Sequence, residues 1–222
     1  MQSPVNFTST NQTSALEINK VLRNTYMLLS MTLLFSAAIA AIAVALNLPS
    51  PGFILTLVGV YGLMFLTYKT ANSSAGIFSV FAFTGFLGYT IAPMINYAIG
   101  SGSGDLVVLS LGGTGLIFFA LSAYALTTKR DMSFLNGMLF AGFWVLLIAM
   151  VANIFLQIPA IGLAISSLFI LFSSALILKQ TSDIINGGET NYILATVTLF
   201  VSLYNIFTSL LHILMSLSGN DD

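Results

Sequence analysis

The chain has 222 residues, 57% of them hydrophobic and only 6% charged, against roughly 25% charged residues in an average soluble domain. Six basic and seven acidic residues leave a net charge of -1, with cations too few and too scattered to track a phosphate backbone, so nucleic acid is excluded as a partner; the absence of cysteine excludes disulfides and thiolate metal sites. A mean hydropathy of +0.99, concentrated in seven apolar runs, predicts a single all-α, polytopic domain whose solvent is the lipid bilayer.

In chain order, Met1 to Lys20 is rich in Ser, Thr, Asn and Gln and holds one carboxylate, Glu17. Residues 1–24 therefore read as a flexible cytoplasmic tail ahead of a membrane domain at residues 25–217. Helix one is expected from Thr25 to Leu46, too long an apolar run for the roughly 7–15 residues of a signal-peptide core. After Leu48-Pro49-Ser50-Pro51, helix two runs from Gly52 to Tyr68 and is closed by Lys69. Helix three, Ala75 to Tyr97, contains Thr84-Gly-Phe-Leu-Gly88, and its Pro93 removes a backbone donor and predicts a kink.

A glycine-rich loop, Gly100 to Gly104 with Asp105, leads to helix four, Leu106 to Thr127, whose Gly112-Gly113-Thr114-Gly115 predicts close helix approach. Asp131 or Ser133 is expected to cap helix five, Phe134 to Leu156. A short turn at Gln157-Ile158-Pro159 precedes helix six, Ala160 to Thr181. Gly187-Gly188 supplies a left-handed stop, and Glu189 or Thr190 the cap of helix seven, which ends at Leu217 before a short periplasmic tail, residues 218–222. Lys20, Arg23, Lys69, Lys129, Arg130 and Lys179 all fall on one side of this arrangement, so the positive-inside rule puts the N-terminus in the cytoplasm and the C-terminus in the periplasm of a bacterial inner membrane.

At about 100° per residue, Thr198, Ser202, Asn205, Ser209 and His212 form one polar stripe on helix seven. Lipid does not satisfy such groups, so the stripe must face other helices or a wet path, and the last helix is expected to be central. His212 is the only histidine, which removes the usual zinc ligand sets. Ser209 and His212 lack an orienting acid and an oxyanion motif, so no hydrolase is read here. Asp183 and Glu189 stand at the cytoplasmic mouth, either lining it or serving as a solvated charge and a helix cap.

Tyr124-Ala-Leu-Thr-Thr-Lys-Arg-Asp-Met-Ser-Phe134, Thr84-Gly-Phe-Leu-Gly88, and Gly187-Gly-Glu-Thr-Asn-Tyr192 followed by Ser202-Leu-Tyr-Asn-Ile-Phe207 resemble the Bax inhibitor-1 family over nearly the whole chain. Val21-Leu-Arg-Asn-Thr-Tyr26, Leu63-Met-Phe-Leu-Thr-Tyr-Lys-Thr-Ala-Asn72 and Val151-Ala-Asn-Ile-Phe-Leu156 are similar to its bacterial inner-membrane branch. The resemblance implies seven helices with the last surrounded by the other six, no enzymatic activity and no cofactor. It also implies a partner, the ATP-dependent membrane protease FtsH, which such a protein occupies and restrains. The tail residues Met1, Gln2, Ser3, Asn6, Glu17 and Lys20 would engage it.

The family also includes calcium-leak channels gated by an acidic pair on the last two helices. The matching positions here are Gln180 and Ser202, so both acids are missing and the anionic oxygens that calcium favours are absent from the gate. The alternative reading is a pH-sensitive calcium or proton leak through the bundle, with Asn205, Ser202, His212 and Asp183 nearest the path.

Overall fold

The structure is a computed structural model that describes residues 7–219, with side chains from Ala15 onward. Its elements are α1 (Phe7–Ala45), α2 (Gly52–Thr70), α3 (Ala75–Gly100), α4 (Gly104–Thr128), α5 (Leu135–Leu156), α6 (Pro159–Ile185) and α7 (Tyr192–Ser218). All seven contain stretches long and apolar enough to cross a membrane. Stops come from residues in the left-handed region: Asn47, Lys129 and Gln157 follow α1, α4 and α5, and Gly187 follows α6. Pro159 occupies the first turn of α6, where its missing N–H costs nothing.

Helix α1 corrects one expectation. Helix begins at Phe7 rather than Thr25, so residues 7–24 are helical and run into the first span, Ala15–Ala45, without a break; Met1, Gln2, Ser3 and Asn6 lie outside the described residues. At 1.5 Å per residue the 39-residue helix is about 58 Å long, well beyond the roughly 30 Å of a bilayer core. From Ala15 onward the physical reason is local. Ala15, Leu16, Glu17 and Lys20 are strong helix formers, and Ile18, Val21, Leu22 and Thr25 recur at helical spacing on the side that is partly or fully buried.

Helix α7 packs against α1, α3, α4 and α6, and α3 packs against α1, α2, α4 and α7. Helices α2 and α5 stand outside, on α3 and α6 respectively, so the last helix is ringed mainly by four neighbours rather than six. The core joins Leu29, Val80, Phe83, Ile177, Leu199, Phe200 and Ile206.

The Thr84-Gly-Phe-Leu-Gly88 motif explains why α3 fits between α1 and α2. Gly85 lies against the Phe35 ring and Gly88 against the backbone of Ser36, both on α1, while Phe86 points the other way into Gly59 of α2. Two glycines on one face thus make a groove for α1, and the aromatic between them fills a glycine notch in α2. Of Gly112, Gly113 and Gly115 in α4, only Gly113 faces a neighbour, Leu210 of α7; the other two look onto open space, so the close approach expected of that stretch rests on one residue.

Candidate functional site

The end of the bundle that carries the basic residues is fastened by two polar side chains. Asn191 is the N-cap of α7: its Oδ1 accepts from the amides of Ile193 (2.9 Å) and Leu194 (3.2 Å). Its Nδ2 donates to the Ala71 carbonyl (3.1 Å) and to Asn72 Oδ1 (2.8 Å) in the α2–α3 turn. The cap expected at Glu189 or Thr190 is therefore displaced to Asn191. Glu189 still contributes, accepting from the Asn191 amide at 2.7 Å.

The second fastening is Ser182, fully buried near the end of α6. Its hydroxyl donates to the Arg130 carbonyl (2.9 Å) and accepts from the Met132 amide (3.0 Å), holding the α4–α5 turn. That turn carries Asp131, whose Oδ1 accepts from the Ser133 amide at 2.8 Å; the N-cap of α5 is Phe134, with no side-chain cap, so neither Asp131 nor Ser133 caps the helix. Asp183 is half-buried and paired with Lys179 one turn back on α6, and its carbonyl accepts from the amides of Gly188 (2.8 Å) and Glu189 (3.1 Å). Both Asp183 and Glu189 are thus engaged in shaping the α6–α7 loop.

The stripe on α7 has a different character from the one its spacing suggests. Thr198 Oγ1 donates to the Leu194 carbonyl (3.2 Å) and Ser202 Oγ to the Thr198 carbonyl (2.8 Å), so these hydroxyls are satisfied by their own helix. Ser202 is fully buried, Ser209 is buried, Asn205 is half-buried and His212 is exposed. His212 Nδ1 lies 2.9 Å from Ser166 Oγ on α6, which joins the two helices at the end opposite the basic residues. Gln180, the other gate position, is buried with its Nε2 unpartnered among the described residues. No group of three or more His, Cys, Asp or Glu able to hold a metal occurs among the described residues. Glu17 and Lys20 are exposed on α1.

Sequence reasoning missed Asn191 and Ser182. An asparagine just ahead of an apolar periodic run is a recognisable cap signal, but Ser182 bonds to a turn about fifty residues away and leaves no local trace.

Residues 18–219 match the profile of the family described as "Inhibitor of apoptosis-promoting Bax1". The chain belongs to the Bax inhibitor-1 family. Within it, the chain is 66% identical over 206 residues, 93% of its own length and 94% of the relative's, to the Escherichia coli K12 protein named "Modulator of FtsH protease YccA". The same identity and coverage hold for "Inner membrane protein YccA" of E. coli O6:H1. An uncharacterized protein of Pasteurella multocida is 62% identical over 193 residues, 87% of this chain and 88% of the relative. Within the matched residues, the Thr84–Gly88 stretch forms the α1–α3 groove and the Gly187–Tyr192 loop carries the Asn191 clamp.

Proposed function

We propose that this chain is an inner-membrane protein that binds the membrane protease FtsH and restrains it. The observation that carries the reading is the 66% identity, over nearly the full length of both chains, to a protein named as a modulator of that protease. The positive-inside rule supports a cytoplasmic location for the basic end and the N-terminus, and a periplasmic one for the C-terminus. The N-terminal segment, with exposed Glu17 and Lys20 on the extension of α1, is the handle a cytoplasmic ATPase would grip. Asn191 and Ser182 hold both adjoining turns to α6 and α7, so the bundle behind that handle resists being pulled apart. Competitive occupancy follows: the protease engages a substrate it extracts slowly, and turnover of other membrane substrates falls.

Removing residues 1–14 is expected to reduce co-purification with FtsH at least tenfold while leaving thermal unfolding of the bundle unchanged. Undiminished co-purification of the truncated chain would remove the tail from the mechanism. For a calcium leak, Gln180 and Ser202 supply no carboxylate, and the expected result in liposomes is no calcium flux from acidic to mildly basic pH. A wild-type flux abolished by Asp183→Asn or His212→Ala would instead favour a channel.

A further inference from the structure

Several buried hydroxyls in this bundle are satisfied by their own helix. Thr32, Thr67, Ser110, Thr114 and Ser202 each donate back to a carbonyl three or four residues earlier on their own helix. Six other buried polar atoms have no hydrogen-bond partner among the described residues: Thr25 Oγ1 and Tyr26 OH on α1, Ser122 Oγ on α4, and Ser173 Oγ, Gln180 Nε2 and Thr181 Oγ1 on α6. Thr25, Ser173 and Thr181 are fully enclosed, and Ser122 and Gln180 are at least nine-tenths buried.

The exceptions share one region. Along its own helix each lies within about 10 Å of Arg23, Lys129 or Lys179, at 1.5 Å per residue. Helix α6 packs on both α1 and α4. The Tyr26 ring lies 5.8 Å from that of Phe118, one turn before Ser122 on α4. Ser182 ties the end of α6 to the turn after α4, which brings Ser122 and Ser173 to similar depth. Buried polar groups are as a rule paired with protein or with ordered water, and here protein partners are lacking for six groups at one end of three helices.

We propose that these six groups line a small hydrated pocket between α1, α4 and α6 at the basic end, holding ordered water. The lining is neutral, made of hydroxyls and one amide, so it suits a molecule that both donates and accepts rather than a metal ion. The nearby charges on α6, Lys179 and Asp183, are paired with each other. The wet part of the interior therefore lies beside α6 and not at Thr198 and Ser202 of the α7 stripe, which are satisfied by their own helix.

The natural absence of cysteine makes the test direct. In the full-length chain in lipid nanodiscs, Ser122→Cys and Ser173→Cys place a thiol in the pocket, and Ser202→Cys places one in the dry core. On transfer to D2O, the infrared S–H bands of the first two are expected to convert to S–D at least tenfold faster than that of the third; equal rates overturn the proposal. A second measurement needs no substitution. Ile177 lies one turn from both Ser173 and Thr181, and Ile206 on α7 is equally buried. X-ray hydroxyl-radical footprinting of the unaltered protein, in which internal water is the radical source, should oxidise Ile177 several-fold faster than Ile206. Equal oxidation counts against the pocket even where the cysteine variants misfold.

Discussion

Gly88→Ala is expected to destabilise the bundle by about 1–3 kcal/mol, the usual range for forcing atoms into a closed contact. The new Cβ would run into the carbonyl oxygen of Ser36 and lie 2.8 Å from its Oγ. Backbone cannot swing aside as a flexible side chain can, so relief requires α1 and α3 to separate. Intrinsic helix propensity runs the other way, favouring alanine over glycine by about 1 kcal/mol, which makes the sign of the result informative. Gly112→Ala is the matched control, since nothing lies within 4 Å of its added methyl. Thermal unfolding in detergent micelles should show Gly88→Ala melting well below wild type and Gly112→Ala at or slightly above it. Equal melting of the two variants would mean that α1 and α3 do not approach closely at Ser36.

Asn191→Ala should cost roughly 2–3 kcal/mol, combining loss of an N-cap with loss of two hydrogen bonds to the α2–α3 turn. The two contributions separate by chemistry. Asn191→Asp keeps an oxygen acceptor for the amides of Ile193 and Leu194, and its charge suits a helix N-terminus, but it has no donor for the Ala71 carbonyl or Asn72. The aspartate variant should therefore recover about half of the loss. Hydrogen exchange at the amides of Ile193 and Leu194 is the discriminating measurement: faster in the alanine variant, near wild type in the aspartate variant. Fast exchange in both would assign the role of Asn191 to the tie between turns rather than to the cap.

The spans were legible because each is encoded locally. Six helices begin within a few residues of where apolar length, Pro49–Pro51, Pro159 and Gly187 put them. The exception, α1, runs on ahead of Thr25 because Ala15, Leu16, Glu17 and Lys20 favour helix outside the apolar run, and a hydropathy reading is blind to propensity in a polar stretch. The polar stripe of α7 was visible as a period, but its meaning was not. Thr198 and Ser202 lie on the predicted face and are buried to differing degrees, yet they donate to carbonyls one turn back, a choice that depends on which rotamer the neighbouring helices leave open. The glycines of α4 show the same limit from the other side: Gly112, Gly113 and Gly115 look alike in sequence, and only Gly113 meets another helix.

What the sequence by itself determined is the class of molecule, the number of apolar helices and the grouping of basic residues between them. In an apolar solvent every backbone group must be satisfied within its own segment, so length and hydropathy along the chain suffice to mark the spans. Only the tertiary structure decided which side chains fasten the turns and which are left buried without a partner. Ser182 with Arg130 and Asn191 with Ala71 are bonds between residues far apart in sequence, and the unpartnered groups on α1, α4 and α6 are defined by what three separate helices fail to offer them. Such relations depend on packing between segments, which no local pattern records.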